Sequence, residues 1–210
     1  MSGRYIKPLC GVMVLLVLLA LLSGCAKGGD GIENTQEPMK QKIVFFGDSI
    51  TYMGDWESYF EGYDVTNLGV SGDKVQSLID RIEDLYAEKP TKLFIMVGVN
   101  DILSGFDTKD VIADWRTLLE LIEEHLPDCR VYVQSVLPVS RDYPNSSEII
   151  RFNADLKALC DERGLDYIDL FPLYRDKSGY LMNGFTKDGL HLTPEAYGLW
   201  VEEIRKLVEE

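Results

Sequence analysis

Two histidines, His125 and His191, are all the imidazole that this chain of 210 residues carries. Acid–base chemistry of that kind is therefore confined to two positions. Neither sits in a His/Cys cluster at metal-ligand spacing, so no metal and no cofactor are expected. Cations are scarce as well: 21 Lys and Arg face 35 Asp and Glu, for a formal charge of −14. Such a surface repels phosphate backbones and anionic headgroups, which excludes nucleic acid as a partner and purely electrostatic adhesion to lipid. Long apolar runs are limited to Val12–Leu22, shorter than the roughly 20 residues needed to span a bilayer. With 46% hydrophobic residues, the length suits one domain with a substantial core rather than two.

That one apolar run has the layout of an export signal. Arg4 and Lys7 precede it, and the small residues of Leu22-Ser23-Gly24-Cys25 close it. Leu-Ser-Gly-Cys resembles the lipobox of bacterial lipoproteins. The resemblance implies cleavage after residue 24, a lipid on the Cys25 sulfur and a domain held at the extracytoplasmic face of the inner or outer membrane. Two acyl signals anchor stably where one is marginal. An uncleaved anchor and ordinary secretion are the alternatives. Loss of residues 1–24 leaves 19 basic against 35 acidic residues, a net of −16. Residues 25–41, the lipidated cysteine and a polar, glycine-rich stretch, are expected to form a flexible tether reaching about 20–25 Å. Cys129 and Cys160 remain. They are compatible with an exported disulfide or with two buried thiols.

From residue 42 to 210 short apolar runs alternate with amphipathic segments. The patterns predict strands at 42–47, 63–68, 92–97, 130–136 and 165–168. Helices are predicted over 74–87 (Val75, Leu78, Ile79, Ile82, Leu85 inward), 109–125 (Ile112, Trp115, Leu118, Leu119, Ile122) and 147–163 (Ile150, Ala154, Leu156, Leu159). Gly164 is placed to end the third helix, and Thr193-Pro194-Glu195 to open a last one. Alternation of this kind implies a parallel sheet covered on both faces, whose functional loops follow the strands. The first strand, Ile43–Phe46, is continuous apolar sequence running into Gly47-Asp48-Ser49, a serine delivered to the carboxyl edge of a buried strand.

His125 follows Glu123-Glu124 at a helix end, a favourable place for a cation at the surface. His191 stands three residues after Asp188, close enough for the carboxylate to hold one ring nitrogen while the other faces elsewhere. Four blocks thus occur in order: Gly47-Asp48-Ser49, Asn67-x-Gly69-x-x-Gly72-Asp73, Gly98-x-Asn100-Asp101 and Asp188-x-x-His191. Together they resemble the SGNH (GDSL) hydrolases over the whole of 42–210, in particular compact members similar to platelet-activating-factor acetylhydrolase subunits and small bacterial esterases.

The resemblance implies a single-domain three-layer α/β/α flavodoxin-like fold with a five-stranded parallel sheet. It also implies a Ser-His-Asp triad: Ser49 as nucleophile, His191 as general base and then acid, Asp188 orienting His191. The oxyanion donors would be the backbone N–H groups of Ser49 and Gly72 and the side-chain amide of Asn100. Asp48 is expected to tie its turn, Asn67, Gly69 and Asp73 to shape the second loop, Gly47 and Gly98 to make room, and Asp101 to cap. The implied activity is a serine esterase removing small acyl groups, acetyl above all, from carbohydrate. A lysophospholipase or thioesterase for longer chains, a transferase to a sugar hydroxyl and a non-catalytic glycan binder are the alternatives. Tyr52, Met53, Trp56, Phe106 and the 139–147 loop are candidate rims.

Overall fold

In a computed structural model of the chain, the described residues are 41–144 and 146–210. The expected signal segment, the expected lipid site Cys25 and all of the expected tether except Gln41 lie outside the described residues. The order of elements is β1 (Lys42–Gly47), α1 (Ser49–Tyr52), α2 (Trp56–Tyr59), β2 (Asp64–Gly69), α3 (Val75–Asp80), α4 (Ile82–Glu88), β3 (Lys92–Met96) and α5 (Val99–Leu103). Then come α6 (Thr108–His125), β4 (Arg130–Gln134), α7 (Glu148–Arg163), β5 (Asp166–Ile168), α8 (Phe171–Tyr174), a 3₁₀ turn at Asn183–Phe185 and α9 (Pro194–Glu209).

The five strands are parallel in the order β2-β1-β3-β4-β5. The chain leaves β1 toward β2 and then crosses back to β3, so the order reverses between β1 and β3. Such a switch point opens a crevice at the carboxyl ends of the two strands. Gly47 of β1 and Met96 of β3 are in register there.

Period-2 alternation along β1 sends Phe45 and Phe46 to opposite faces. Register aligns Phe45 with Phe94 and Phe94 with Tyr132, and the three rings stack with centroids 5.1 and 4.6 Å apart. Trp56 stacks on Phe45 at 4.1 Å, and Trp200 meets Trp56 edge-on at 4.9 Å, so α2 and α9 cover this face. Trp56, a candidate rim residue, is therefore core. Arg81 lies 4.5 Å over the Phe46 ring, and α3, α6 and α7, packed side by side, form the layer on that other face.

Local rules account for most ends. Thr193 accepts from the Ala196 N–H with Pro194 at the first helical position, and Gly164 ends α7 at φ 69°. Strand boundaries differ from the sequence patterns by one or two residues. Two differences are larger. The predicted helix 74–87 is two helices, broken at Arg81 (φ −116°, ψ 27°). The inward face of α7 is Ile149, Phe152, Asn153, Leu156, Leu159 and Cys160, while Ile150 and Ala154 point outward. The reason is Asn153, whose amide accepts from Val136 N–H (2.9 Å) and donates to Val136 C=O (2.8 Å). A polar residue satisfied by backbone is buried there, and it rotates the helix away from the face that apolar periodicity favours. Cys160 is buried and Cys129 half-buried, both as free thiols that burial pushes up to about 12.

At the end of β2, Gly69 lets two chain segments touch: an added Cβ would overlap the Tyr52 backbone. Gly69→Ala is expected to cost about 1–3 kcal/mol in urea unfolding, the usual penalty for overpacking. An unchanged midpoint would show that α1 can retreat freely.

Candidate active site

Ser49 is the first residue of α1 and follows β1 after a single residue, Asp48. That abrupt change of direction needs three local solutions. Gly47 is required because a Cβ there would collide with the Met96 carbonyl and Thr51 Oγ1. Asp48 caps the new helix, its Oδ1 accepting from Ile50 N–H at 2.9 Å. Asn67 of β2 donates to the carbonyls of Thr51, Tyr52 and Gly54 at 3.0–3.1 Å and accepts from Gly69 N–H at 2.9 Å. Ser49 ends up 7% exposed. Burial pushes the Asp48 carboxyl up to about 7, with Asp101 and Asp73 adding to the rise against the Ile50 bond.

The Ser49 Oγ lies 2.9 Å from His191 Nε2, and His191 Nδ1 lies 2.6 Å from Asp188 Oδ2. The other carboxylate oxygen, Oδ1, accepts from His191 N–H (2.8 Å), Leu190 N–H (3.0 Å) and the Thr186 hydroxyl (3.2 Å). Partial burial favours the neutral acid, but the ring contact and backbone N–H groups outweigh it and hold Asp188 well below the usual carboxylate range. Thr186 also accepts from Gly189 N–H at 2.8 Å, and a bridge between Thr186 and Leu192 closes the loop at its base. From outside, Ser140 N–H donates to the Gly189 carbonyl (2.8 Å) and the Tyr143 hydroxyl to the Asp188 carbonyl (3.2 Å). Thr186 was not marked by any sequence pattern, and Tyr143 only as part of the 139–147 rim loop, not as a partner of Asp188. A hydroxyl two residues before an Asp-x-x-His is the only local signal, and it is a faint one.

The expected oxyanion donors lie on the loops after β1, β2 and β3. Ser49 N–H is the first of its helix, among those that a helix leaves without an internal acceptor. Gly72 is exposed at φ 86°, with nothing within 4 Å of where a Cβ would stand. Asn100, in α5, donates one of its two amide hydrogens to the Asp73 carbonyl at 2.9 Å. Its neighbour Asp101 is buried and caps α3 by accepting from Val75 N–H at 3.3 Å; burial pushes its carboxyl up to about 6. His125 lies elsewhere, exposed and stacked on Tyr86 at 4.6 Å.

Around the serine, exposed apolar side chains gather on the same loops: Tyr52 (60%), Met53 (52%), Val70 (43%) and Phe106 (52%). Met53, Lys187, Asp188, His191, Leu192 and Pro194 line an open cleft of about 310 Å³ beside the imidazole. A hydroxyl, an imidazole and a carboxylate in series can take a proton from the serine and return it to a leaving group.

Residues 45–199 match the model of the GDSL-like lipase/acylhydrolase family. The chain belongs to that family. An N-acylneuraminate cytidylyltransferase of Streptococcus agalactiae is 25% identical over 171 residues, covering 78% of this chain and 40% of that protein. The chain thus spans about two fifths of that relative's length. The platelet-activating factor acetylhydrolase IB subunit alpha1 of Bos taurus is 25% identical over 170 residues, 74% of this chain and 70% of that protein. Among solved structures, the acetylxylan esterase Axe2 of Geobacillus stearothermophilus shares the fold with a TM-score of 0.66 at 18% identity, covering 81% of this chain and 94% of that one.

The raised Asp48 carboxyl makes a stability prediction. Its folded value, about 7, lies above the ordinary carboxyl value of 3.8. The folded state therefore holds the proton more tightly, and stability falls as pH rises from about 4 to about 7. Asp48→Asn keeps the Ile50 acceptor and removes the titration. Its melting temperature is expected to gain on the wild type between pH 4.5 and 7.5. A constant gap would mean that Asp48 is ionised at no cost.

Proposed function

We propose that this GDSL-like family member is a serine esterase. The observation that carries the reading is the series Ser49 Oγ–His191–Asp188, at 2.9 and 2.6 Å, beside the crevice at the switch point. His191 removes the hydroxyl proton as Ser49 attacks the ester carbonyl, and Asp188 steadies the charged imidazole. The oxyanion is met by the N–H groups of Ser49 and Gly72 and by the Asn100 amide. The imidazolium returns its proton to the leaving alcohol, and water then releases the acid from Ser49 by the same route.

The substrate reading is a small acyl ester, acetyl above all, on carbohydrate. The cleft of about 310 Å³ and the exposed Tyr52 and Phe106 rings support it, because a cleft of that size suits a small acyl group and aromatic faces suit a sugar. The names of the relatives, an acetylhydrolase and an acetylxylan esterase among them, point to acetyl groups in those proteins. Cys25 after Leu-Ser-Gly supports a lipid-anchored enzyme on the extracytoplasmic side of a membrane, with a glycan ester as its partner.

Purified protein is expected to hydrolyse 4-nitrophenyl acetate, and Ser49→Ala to lose about 10³-fold or more of that rate. Equal rates in the two proteins would end the esterase reading. Across 4-nitrophenyl esters, rate should fall from C2 to C8; a maximum at C8 or longer would turn the reading to a lysophospholipase or thioesterase. Cells fed a labelled fatty acid are expected to label the wild-type protein and not Cys25→Ser, and equal labelling or none in both would remove the lipid on Cys25 from the account.

A further inference from the structure

Helical periodicity over 74–87 gives no reason for a break at Arg81, yet the helix breaks there. The side chain runs back beneath the carboxyl edge of the sheet. Its Nε donates to Asp73 Oδ2 at 2.7 Å, and its Nη2 donates to the carbonyls of Gly47 (3.2 Å) and Leu68 (2.9 Å). The guanidinium lies 4.5 Å over the Phe46 ring. Arg81 and Asp73 side chains are only 18% and 12% exposed. One planar cation thus joins the end of β1, the end of β2 and the loop that follows β2.

Asp73 is the pivot. It follows Gly72 in a turn closed by Asp73 N–H donating to the Val70 carbonyl at 3.3 Å, and its own carbonyl receives the Asn100 amide at 2.9 Å. Two donors assigned to the oxyanion, Gly72 N–H and the Asn100 side chain, are therefore held by the residue that Arg81 holds. Gly47, on the third arm, stands two residues before Ser49. A fork of N–H groups can serve three acceptors at fixed angles where an ammonium is a point charge.

We propose that Arg81 is a positioning residue for the oxyanion hole, acting through Asp73 on the Asn100 amide and the Gly72 N–H. The inference rests on the reading of Ser49 as the nucleophile of an esterase. Arg81 touches no substrate; it keeps the donors aimed while the charge develops, which is where preorganised donors act.

The test is a mutant cycle on the purified full-length protein with 4-nitrophenyl acetate. Arg81→Met keeps the stem over Phe46 and removes the fork. Its kcat is expected to fall about 10–100-fold with KM within about twofold, because only the transition state carries the oxyanion. Asn100→Ala alone is expected to lose about 10²–10³-fold. With Asn100 already removed, Arg81→Met is expected to cost clearly less than it does alone, the remainder passing through the Gly72 N–H; losses that multiply in full overturn the proposal. Should Arg81→Met fail to fold, Arg81→Lys carries the same comparison. A readout independent of turnover is the amide spectrum: the Asn100 side-chain and Gly72 N–H resonances should shift in the Arg81 variant while those of α9 stay in place. Unmoved resonances also overturn it. Shifted resonances with wild type and Ser49→Ala equally inert would uphold the brace and overturn the esterase reading instead.

Discussion

A buried strand can present a serine at its end only if every backbone group around the turn finds a partner. That constraint shapes the carboxyl edge of this sheet. β1 is apolar on both faces and cannot fray into water to satisfy its last carbonyls. The solution is to borrow polar side chains from neighbouring loops. Asn67 takes the carbonyls at the end of α1, Asp48 takes Ile50 N–H, and Arg81 takes the carbonyls of Gly47 and Leu68. The same hydrogen bonds that stabilise the edge fix the backbone on either side of Ser49.

The loop that carries Asp188 and His191 is built on the same economy at a more exposed place. Asp188 is about half exposed, where a lone surface pair with His191 would contribute little. Its orientation comes instead from saturation: Oδ1 is occupied by two backbone N–H groups and the Thr186 hydroxyl, which leaves Oδ2 to the imidazole. Tyr143 and Ser140, from the loop after β4, then press on the same loop from outside. A carboxylate with no free oxygen has one way to face.

Much of this was legible in residues alone. Continuous apolar runs located the strands, because a strand buried on both faces has no polar side to show. The spacing of Asp188 and His191 made their contact a matter of local geometry. The inward face of α7 and the break at Arg81 were not legible. In both, a polar side chain is buried against backbone from a distant strand or loop, and periodicity counts only apolar residues. The contacts of Thr186 and Tyr143 with the Asp188 loop were not legible for a related reason: hydroxyls are too common for their spacing to carry information.

The chain by itself determined a parallel α/β domain, a serine at the end of its first strand and a short list of groups able to work with it. It did so because strand burial, helix caps and an Asp-x-x-His turn are local in sequence. Only the tertiary structure decided that Ser49 and His191, 142 positions apart, meet at 2.9 Å. Only it put Arg81 against Asp73, whose carbonyl receives the Asn100 amide, rather than on a helix surface. Strand order brings those groups to one edge, and strand order follows from how the layers pack.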